Sequence, residues 1–508
     1  MRLATLAATS LLVLPLAACT EPAPTPAPLA RSLASVLPAP ARVTPSGVRF
    51  ELTEASGIAA EGDALPVAEL LAATLRPATG FRLPVAATGD VALRLDTSIA
   101  GEAYRLDVGE DRVDLTAGTP AGLNNGVQTL RQLLPAAIDA GTVQQAAWII
   151  PGGRIDDEPR YAYRGAMLDL ARHFHTPDEV KRYIDQISRF KINYLHLHLA
   201  DDQGWRIQID SWPELTAVSG APGTGVDGAG GGYLTKAAYR DLVTYAADRY
   251  ITVIPEVDMP GHVNAAQVAY PELTCDGVAP RQRTDTAVGY SSLCAGKEIT
   301  YRFAEDVIRE LAAMTPGPYL HIGGDEARAT PHADYVTFQK RVMPLARKYG
   351  KIPIGWQEIA AAEPEGAIVQ YWNHTEPLTT NQRVIVSPAS QAYLDMQYDR
   401  QTPAGGMNWA GTTEVDDAYD WNPGARLKTV PPELIFGVEA PLWSETLRDS
   451  ADIEFLAFPR LVAIAELGWS PWSTHDWESF RQRIGAYGPQ WTRLGVRFYE
   501  SPKIPWGH

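Results

Sequence analysis

The sequence predicts an α/β fold: a (β/α)8 TIM barrel preceded by a small α+β domain. Three observations predict it. After Pro159 the pattern becomes strand, loop and helix in repetition. Eight strand candidates then fall within about 350 residues, the size of one such barrel. Charged and aromatic residues gather just after those strands.

The barrel strands are expected at 163–170, 192–199, 251–256, 319–322, 352–355, 368–371, 384–387 and 434–438. Helical stretches at 177–190, 236–249, 304–314 and 333–349 lie between several of them, and a last one covers 453–467. A doubly wound open sheet is the alternative, but no Gly-rich nucleotide loop follows any strand. Upstream, strand-like runs at 48–52, 91–95, 104–108 and 112–115 mix with helical ones at 67–75 and 123–134. They read mostly as hairpins with a few helices, which suggests an α+β domain over 43–155, with the barrel domain following over 156–508. No chemistry is visible in that first domain.

The N-terminus reads as a targeting segment. Arg2, the apolar run 3–14 and Leu16-Ala17-Ala18-Cys19 have the anatomy of a signal peptide over 1–18, too short to span a bilayer permanently. Ending the site on Cys resembles the bacterial lipobox, so a lipid on Cys19 and an exported, cell-envelope or extracellular location are expected. Residues 19–42, rich in Pro and Ala, read as a semi-rigid tether. Cys275 and Cys294 are the other two cysteines, free to close one disulfide in an oxidising compartment or to stay as buried thiols. The net charge of -16 disfavours nucleic acid and bare anionic membrane as partners, leaving a lipid on Cys19 as the membrane contact. The 13 Trp and 21 Tyr offer flat faces that suit either sugar rings or a core.

The candidate chemistry follows the strands. Strand one carries Arg164 and Asp169, and strand two ends in Asp201-Asp202-Gln-Gly-Trp205. Strand three ends in Glu256-Val-Asp258-Met-Pro-Gly-His262, and strand four in Gly323-Gly324-Asp325-Glu326. Later strands bring Trp356-Gln-Glu358, Tyr371-Trp372-Asn373, Tyr393-Leu-Asp395 and Trp443-Ser-Glu445. Barrel enzymes place their sites at this face. Asp325 and Glu326 reach one pocket only if the strand stops and the backbone turns, which Gly323-Gly324 permits. Adjacent carboxylates raise the pKa of at least one, as a general acid needs; capping of the next helix is the structural alternative. His262, between Asp201 or Asp202 and Glu326, could relay charge. His196 and His198 share a strand face and read as buried histidines satisfied by neighbours.

At these residues the chain resembles the family 20 glycoside hydrolases, the β-N-acetylhexosaminidases. The likeness rests on Arg164-Gly-Ala-Met-Leu-Asp169-Leu-Ala-Arg-His173-Phe, His196-Leu-His-Leu-Ala-Asp201-Asp202-Gln-Gly-Trp205-Arg, Pro255-Glu-Val-Asp-Met-Pro-Gly-His262 and His321-Ile-Gly-Gly-Asp325-Glu326. It implies retention through the substrate's own 2-acetamido oxygen and an oxazolinium intermediate, with exo action on terminal GlcNAc or GalNAc. Glu326 would be the acid and then the base, and Asp325 would hold the acetamido N–H. Tyr393 would aim the acetamido oxygen, with Asp201 and His262 forming the relay. The resemblance assigns Trp356, Trp372 and Trp443 to the walls and Arg164, Asp395 and Glu445 to sugar hydroxyls. It puts Trp409 on the leaving-group side and implies a Cys275–Cys294 disulfide. His175 departs from the family's pattern and is expected outside the pocket.

Three rivals stand beside this reading. A metal-dependent hydrolase would draw on His196, His198, His262, His321 and Asp325. Two of those histidines precede the strand end and nothing completes a bridging set, so neither metal nor cofactor is expected. A sugar-binding lipoprotein would have no use for Glu326 beside Asp325 with His262 behind. A conventional retaining glycosidase with an aspartate nucleophile would turn over substrates lacking the N-acetyl group. The leaving group (chitooligosaccharide, glycan or peptidoglycan fragment) is left open by the sequence.

Overall fold

Short runs such as Ile368-Val-Gln-Tyr371 are buried on both faces, one toward the barrel axis and the other toward the helices. The structure, a computed structural model, describes residues 31–228, 230–401 and 405–507. Cys19 and the expected signal peptide lie outside the described residues.

The barrel strands are β1 (Tyr163–Asp169), β2 (Tyr194–His198), β3 (Thr252–Glu256), β4 (Tyr319–His321), β5 (Ile352–Trp356), β6 (Ile368–Tyr371), β7 (Arg383–Val386) and β8 (Ile435–Ala440). All neighbours pair in parallel, and β8 closes on β1 with Gly437 opposite Tyr163. Helices Pro177–Ser188, Lys236–Ala247, Glu298–Met314 and His332–Lys348 follow β1 to β4. The first begins with a capping box, Thr176 and Glu179 each bonding the other's backbone N–H. A 3-10 segment, Gln357–Ala362, follows β5. Between β7 and β8 lie short helices within a long excursion, and Ser450–Ala457, Arg460–Trp469 and Trp477–Arg493 complete the wall.

The strand alternation fills the barrel in layers. Tyr163, Ile254, Tyr319, Ile354, Ile368 and Ile385 close it near the strand starts. Above them lies a buried polar layer of His196, Glu256, His321, Gln370 and Glu439. Met167, Trp356, Trp372, Tyr393 and Trp443 form an aromatic cluster at the strand ends. The polar layer hardly departs from the positions where aliphatic residues are usual in such barrels, so its charges need partners in situ.

The N-terminal domain is a seven-stranded mixed sheet backed by helices Leu65–Thr79 and Pro120–Leu133. The hairpin expectation is corrected in part. Tyr104–Val108 and Val113–Ala117 do form an antiparallel pair, but Val91–Leu95 runs parallel to Val113–Ala117. The strand Trp148–Asp157 was not expected, because Pro151-Gly152-Gly153 reads as a turn. The chain stays extended through it, pairing with Arg42–Leu52 across a register shift. The tether expectation also changes. Leu33, Val36 and Leu37 are buried, Leu37 N–H donates to Gln132 Oε1 (2.9 Å), and Ala39 N–H donates to Glu466 Oε2 (2.9 Å).

Arg164, expected at the sugar, lies elsewhere. It is the second residue of β1 and shares the helix-facing side with Ala166 and Leu168, whereas Tyr163 and Met167 face the axis. Its guanidinium donates to Lys191 O (2.9 Å), Tyr161 O (2.9 Å) and Glu102 Oε2 (2.5 Å) of the N-terminal domain. Trp469 stacks below it and packs into that domain's core. Arg164→Met leaves these acceptors unpaired. It is expected to lower unfolding free energy by about 3 kcal/mol in denaturant melts. Substrate KM should stay within about twofold, and a rise of about tenfold would return Arg164 to the substrate.

Candidate active site

Strand β4 stops at His321, and Gly323 and Gly324 follow with φ of 65° and 104°. These glycines are required by close packing as well as by conformation. A Cβ on Gly323 would stand 1.9 Å from Asp258 Oδ1, and the Gly324 N–H donates to that same oxygen at 2.8 Å. Tyr335 O–H fixes the turn from the other side through Gly324 O (2.6 Å). The turn delivers Asp325 into the pocket and leaves Glu326 at φ 43°, a left-handed conformation that a glutamate holds only under constraint.

The carboxyl that perturbs Asp325 is Asp258, where the sequence suggested its neighbour Glu326. Burial and Asp258 push Asp325 well above the usual carboxylate range, against the pull of His262. Burial raises Asp258 well above its range too, and the two carboxyls are hydrogen-bonded. They therefore share a proton in the free site. Asp258 was visible at the end of strand three but carried no assigned role.

Behind the pair, His262 Nδ1 lies 3.0 Å from Asp201 Oδ1 and 3.8 Å from Asp202 Oδ2, so Asp201 is its partner. Asp202 instead accepts from Ser291 O–H (2.6 Å) and Asn264 N–H (2.9 Å). Burial opposes charge on His262, but Asp201 and Asp325 outweigh it and raise the imidazole to about 10. Its Nε2 stands 3.7 Å from both Asp325 Oδ2 and Glu326 Oε2, beyond a hydrogen bond but close enough to pull against the rise of Asp325. On the exposed side, Arg328 donates to Glu326 Oε1 at 2.6 Å.

The walls are aromatic. Trp356 and Trp443 lie 5.7 Å apart between ring centres, with Tyr393 6.1 Å from Trp443. Trp409 is 52% exposed and meets Trp372 and Tyr393 edge-on, which puts it on the rim. Trp372 Nε1 donates to Glu358 Oε2 (3.1 Å), and Glu358 also bonds the Glu326 backbone. Burial raises Glu358 to about 7. Asp395 is buried near Glu445, and burial followed by that charge lifts it well above its range.

The arginine on the Asp201 and Glu445 side of the site is Arg172. It pairs with Asp201 (2.8 Å) and Asp169 (3.5 Å), lies over the Trp443 ring at 4.8 Å, and its charge acts on Glu445. Position alone signalled it: Arg172 follows the end of β1, whereas Arg164 opens that strand. His175, fully buried, is pushed down to about 4 first by burial. Cys275 and Cys294 are joined as a disulfide in the loop after β3.

Among the described residues, three groups bring possible metal ligands together: His196, Glu256 and His321; Asp201, Asp202 and His262; Asp258, His262 and Asp325. In the first, burial opposes protonation of His196, but Glu439 and Glu256 raise it to about 9. An imidazolium has no lone pair for a metal.

Residues 161–472 match the model for the catalytic domain of glycosyl hydrolase family 20, and residues 33–158 match that for the family's domain 2. The chain belongs to glycoside hydrolase family 20. A β-N-acetylhexosaminidase from Cellulomonas fimi is 43% identical over 426 residues, spanning 82% of this chain and 84% of that one. The solved GH20 β-N-acetylhexosaminidase of Streptomyces coelicolor A3(2) superposes with a TM-score of 0.90 at 51% identity, covering 94% of this chain and 99% of the other. A mutant Streptomyces plicatus β-hexosaminidase solved with product GlcNAc matches equally well, at 51% identity and TM-score 0.90, over 95% and 99% of the chains.

In this family 20 enzyme the raised Glu358 has a thermodynamic consequence. Its contribution to stability is fully present below the ordinary value of 4.5 and is lost as pH rises through about 7. Glu358→Gln keeps an acceptor for the Trp372 indole without the ionisation. The variant's melting temperature is expected to fall less than the parent's between about pH 5 and 8. Equal declines would locate the titration elsewhere.

Proposed function

We propose that this family 20 enzyme is an exo-acting β-N-acetylhexosaminidase that removes terminal non-reducing GlcNAc or GalNAc with retention. The observation that carries the reading is the division between two adjacent acids. Asp325 is buried against Asp258 and the aromatic walls, while Glu326 sits at the mouth beside Arg328.

The chemistry follows from those environments. Glu326 donates its proton to the glycosidic oxygen as the C1–O bond breaks, and the acetamido oxygen of the same sugar bonds to C1. The product is an oxazolinium whose positive charge spreads onto nitrogen. Asp325 accepts the acetamido N–H and offsets that charge, with Asp258 retaining the shared proton. Tyr393 donates to the acetamido oxygen and aims it. Trp356, Trp372 and Trp443 keep water from the ring until the leaving group departs. Glu326, now a carboxylate, takes a proton from water, whose oxygen attacks C1 and reopens the ring. Asp395 and Glu445 accept sugar hydroxyls, and Trp409 stacks on the leaving-group side. Arg172 replaces Arg164 as the arginine of the sugar site. Chitooligosaccharides are a fitting natural substrate class because each leaving unit also carries flat faces for Trp409.

The sequence before residue 31 supports export with a lipid on Cys19, and the Cys275–Cys294 disulfide suits an oxidising compartment. Growth with labelled palmitate should mark the full-length protein in membranes. Label surviving Cys19→Ser would place the lipid elsewhere.

Glu326→Gln should lower kcat by about 100- to 10,000-fold on aryl N-acetylglucosaminides while leaving ligand affinity largely intact. A thiazoline mimic of the oxazolinium should inhibit competitively, and aryl glucosides lacking the N-acetyl group should resist cleavage. Ready cleavage of such glucosides would favour an enzyme nucleophile, and activity lost in EDTA and restored by metal would favour a metal hydrolase.

A further inference from the structure

Beneath the relay, the barrel axis carries charges that the proposed chemistry leaves without a role. His198, at the end of β2, is fully buried. Its Nδ1 is hydrogen-bonded to Glu256 Oε2 and its Nε2 lies 2.8 Å from Asp201 Oδ2. A neutral imidazole donates from one nitrogen; facing a carboxylate at each end, this one is an imidazolium. Burial opposes that charge, but Glu256 and Asp201 raise it to about 10.

Both carboxylates reach into the active site. The other oxygen of Asp201 meets His262 Nδ1 at 3.0 Å, and His262 Nε2 faces Glu326 and Asp325. The other oxygen of Glu256 accepts the Trp356 indole N–H at 2.8 Å, fixing a wall of the aromatic box. The remaining charged neighbours are accounted for. Asp169 pairs in register with His198 from β1, and Arg172 reaches Asp201 from the same strand's end. His196, two residues earlier, lies 2.9 Å from Glu256 Oε2 and 3.1 Å from Glu439 Oε1. His321, held low first by burial, has its Nδ1 2.9 Å from Glu256 Oε1 and 3.1 Å from the Gly323 nitrogen. The Trp443 ring approaches His198 edge-on at 4.8 Å.

We propose that His198 is a positioning residue for the acid–base group: clamped between Glu256 and Asp201, it fixes the Asp201 carboxylate that orders His262 and places a permanent positive charge beneath Glu326. The inference rests on Glu326 being the general acid. It goes further in tying that acid, through Glu256, to the wall formed by Trp356. Removal of a positive charge beneath a general acid makes its proton harder to lose.

The test is the alkaline limb of kcat/KM on an aryl N-acetylglucosaminide, which reports loss of the acid's proton. His198→Gln should move that limb upward by about one pH unit, the effect of one charge roughly 10–15 Å away at an effective dielectric of about 20. Glu256→Gln offers one amide oxygen where two carboxylate oxygens serve Trp356 and His198, so the clamp opens and His198 loses its charge together with Glu256, and the limb should move by clearly less than in His198→Gln. It also gives an answer if the first variant does not fold. A limb that stays in place in His198→Gln while kcat falls, or moves as far in Glu256→Gln as in His198→Gln, would overturn the proposal and leave His198 a packing residue. A parent enzyme without activity on this substrate would instead sink the functional reading itself.

Discussion

The Asp258 carboxyl occupies the space where a side chain on Gly323 would stand, and the turn after β4 is built around it. Its Oδ1 accepts the Gly324 N–H, and its carboxyl shares a proton with Asp325. From this contact follow the break in the strand, the left-handed Glu326 and the opposite environments of the two adjacent acids. A regular strand would send adjacent side chains to opposite faces. The glycine pair removes that restriction, and Asp258 selects among the turns that glycine allows.

The polar layer across the barrel shows how such a site is held steady. Buried charges cost several kcal/mol each unless paired. Here carboxylates and imidazoles alternate from Glu439 through His196, Glu256 and His198 to Asp201 and His262. The network is a costly way to fill a barrel compared with aliphatic side chains. Its justification is orientation: Trp356, Asp201 and His262 are each hydrogen-bonded to a member of the chain, so wall and relay share one framework.

Much of this was legible in the sequence. Periodicity placed each barrel strand to within a few residues, because parallel strands covered on both faces are compact apolar runs between helices. Asp325-Glu326 and His262 stood out through the glycines and the strand ends. Arg164 failed for a reason the sequence contained: it opens β1 and shares the side of Ala166 and Leu168, away from the axis. Arg172, beyond the end of that strand, met the same positional rule that picked out the other residues. The partnership of Asp258 with Asp325 was out of reach, since it depends on two loops meeting across neighbouring strands. The strand Trp148–Asp157 was hidden by Pro-Gly-Gly, a turn signal overridden by pairing with its neighbours.

The central claim is that the substrate supplies the nucleophile while Asp325 and Glu326 divide the electrostatic and proton-transfer work. The most direct measurement is kcat/KM for aryl glycosides whose 2-acetamido methyl carries zero to three fluorines. Fluorine withdraws electrons from the amide oxygen without altering the leaving group. With the substrate's amide oxygen as nucleophile the rate falls steeply and monotonically with each fluorine; rates independent of fluorination would show that this oxygen does not attack.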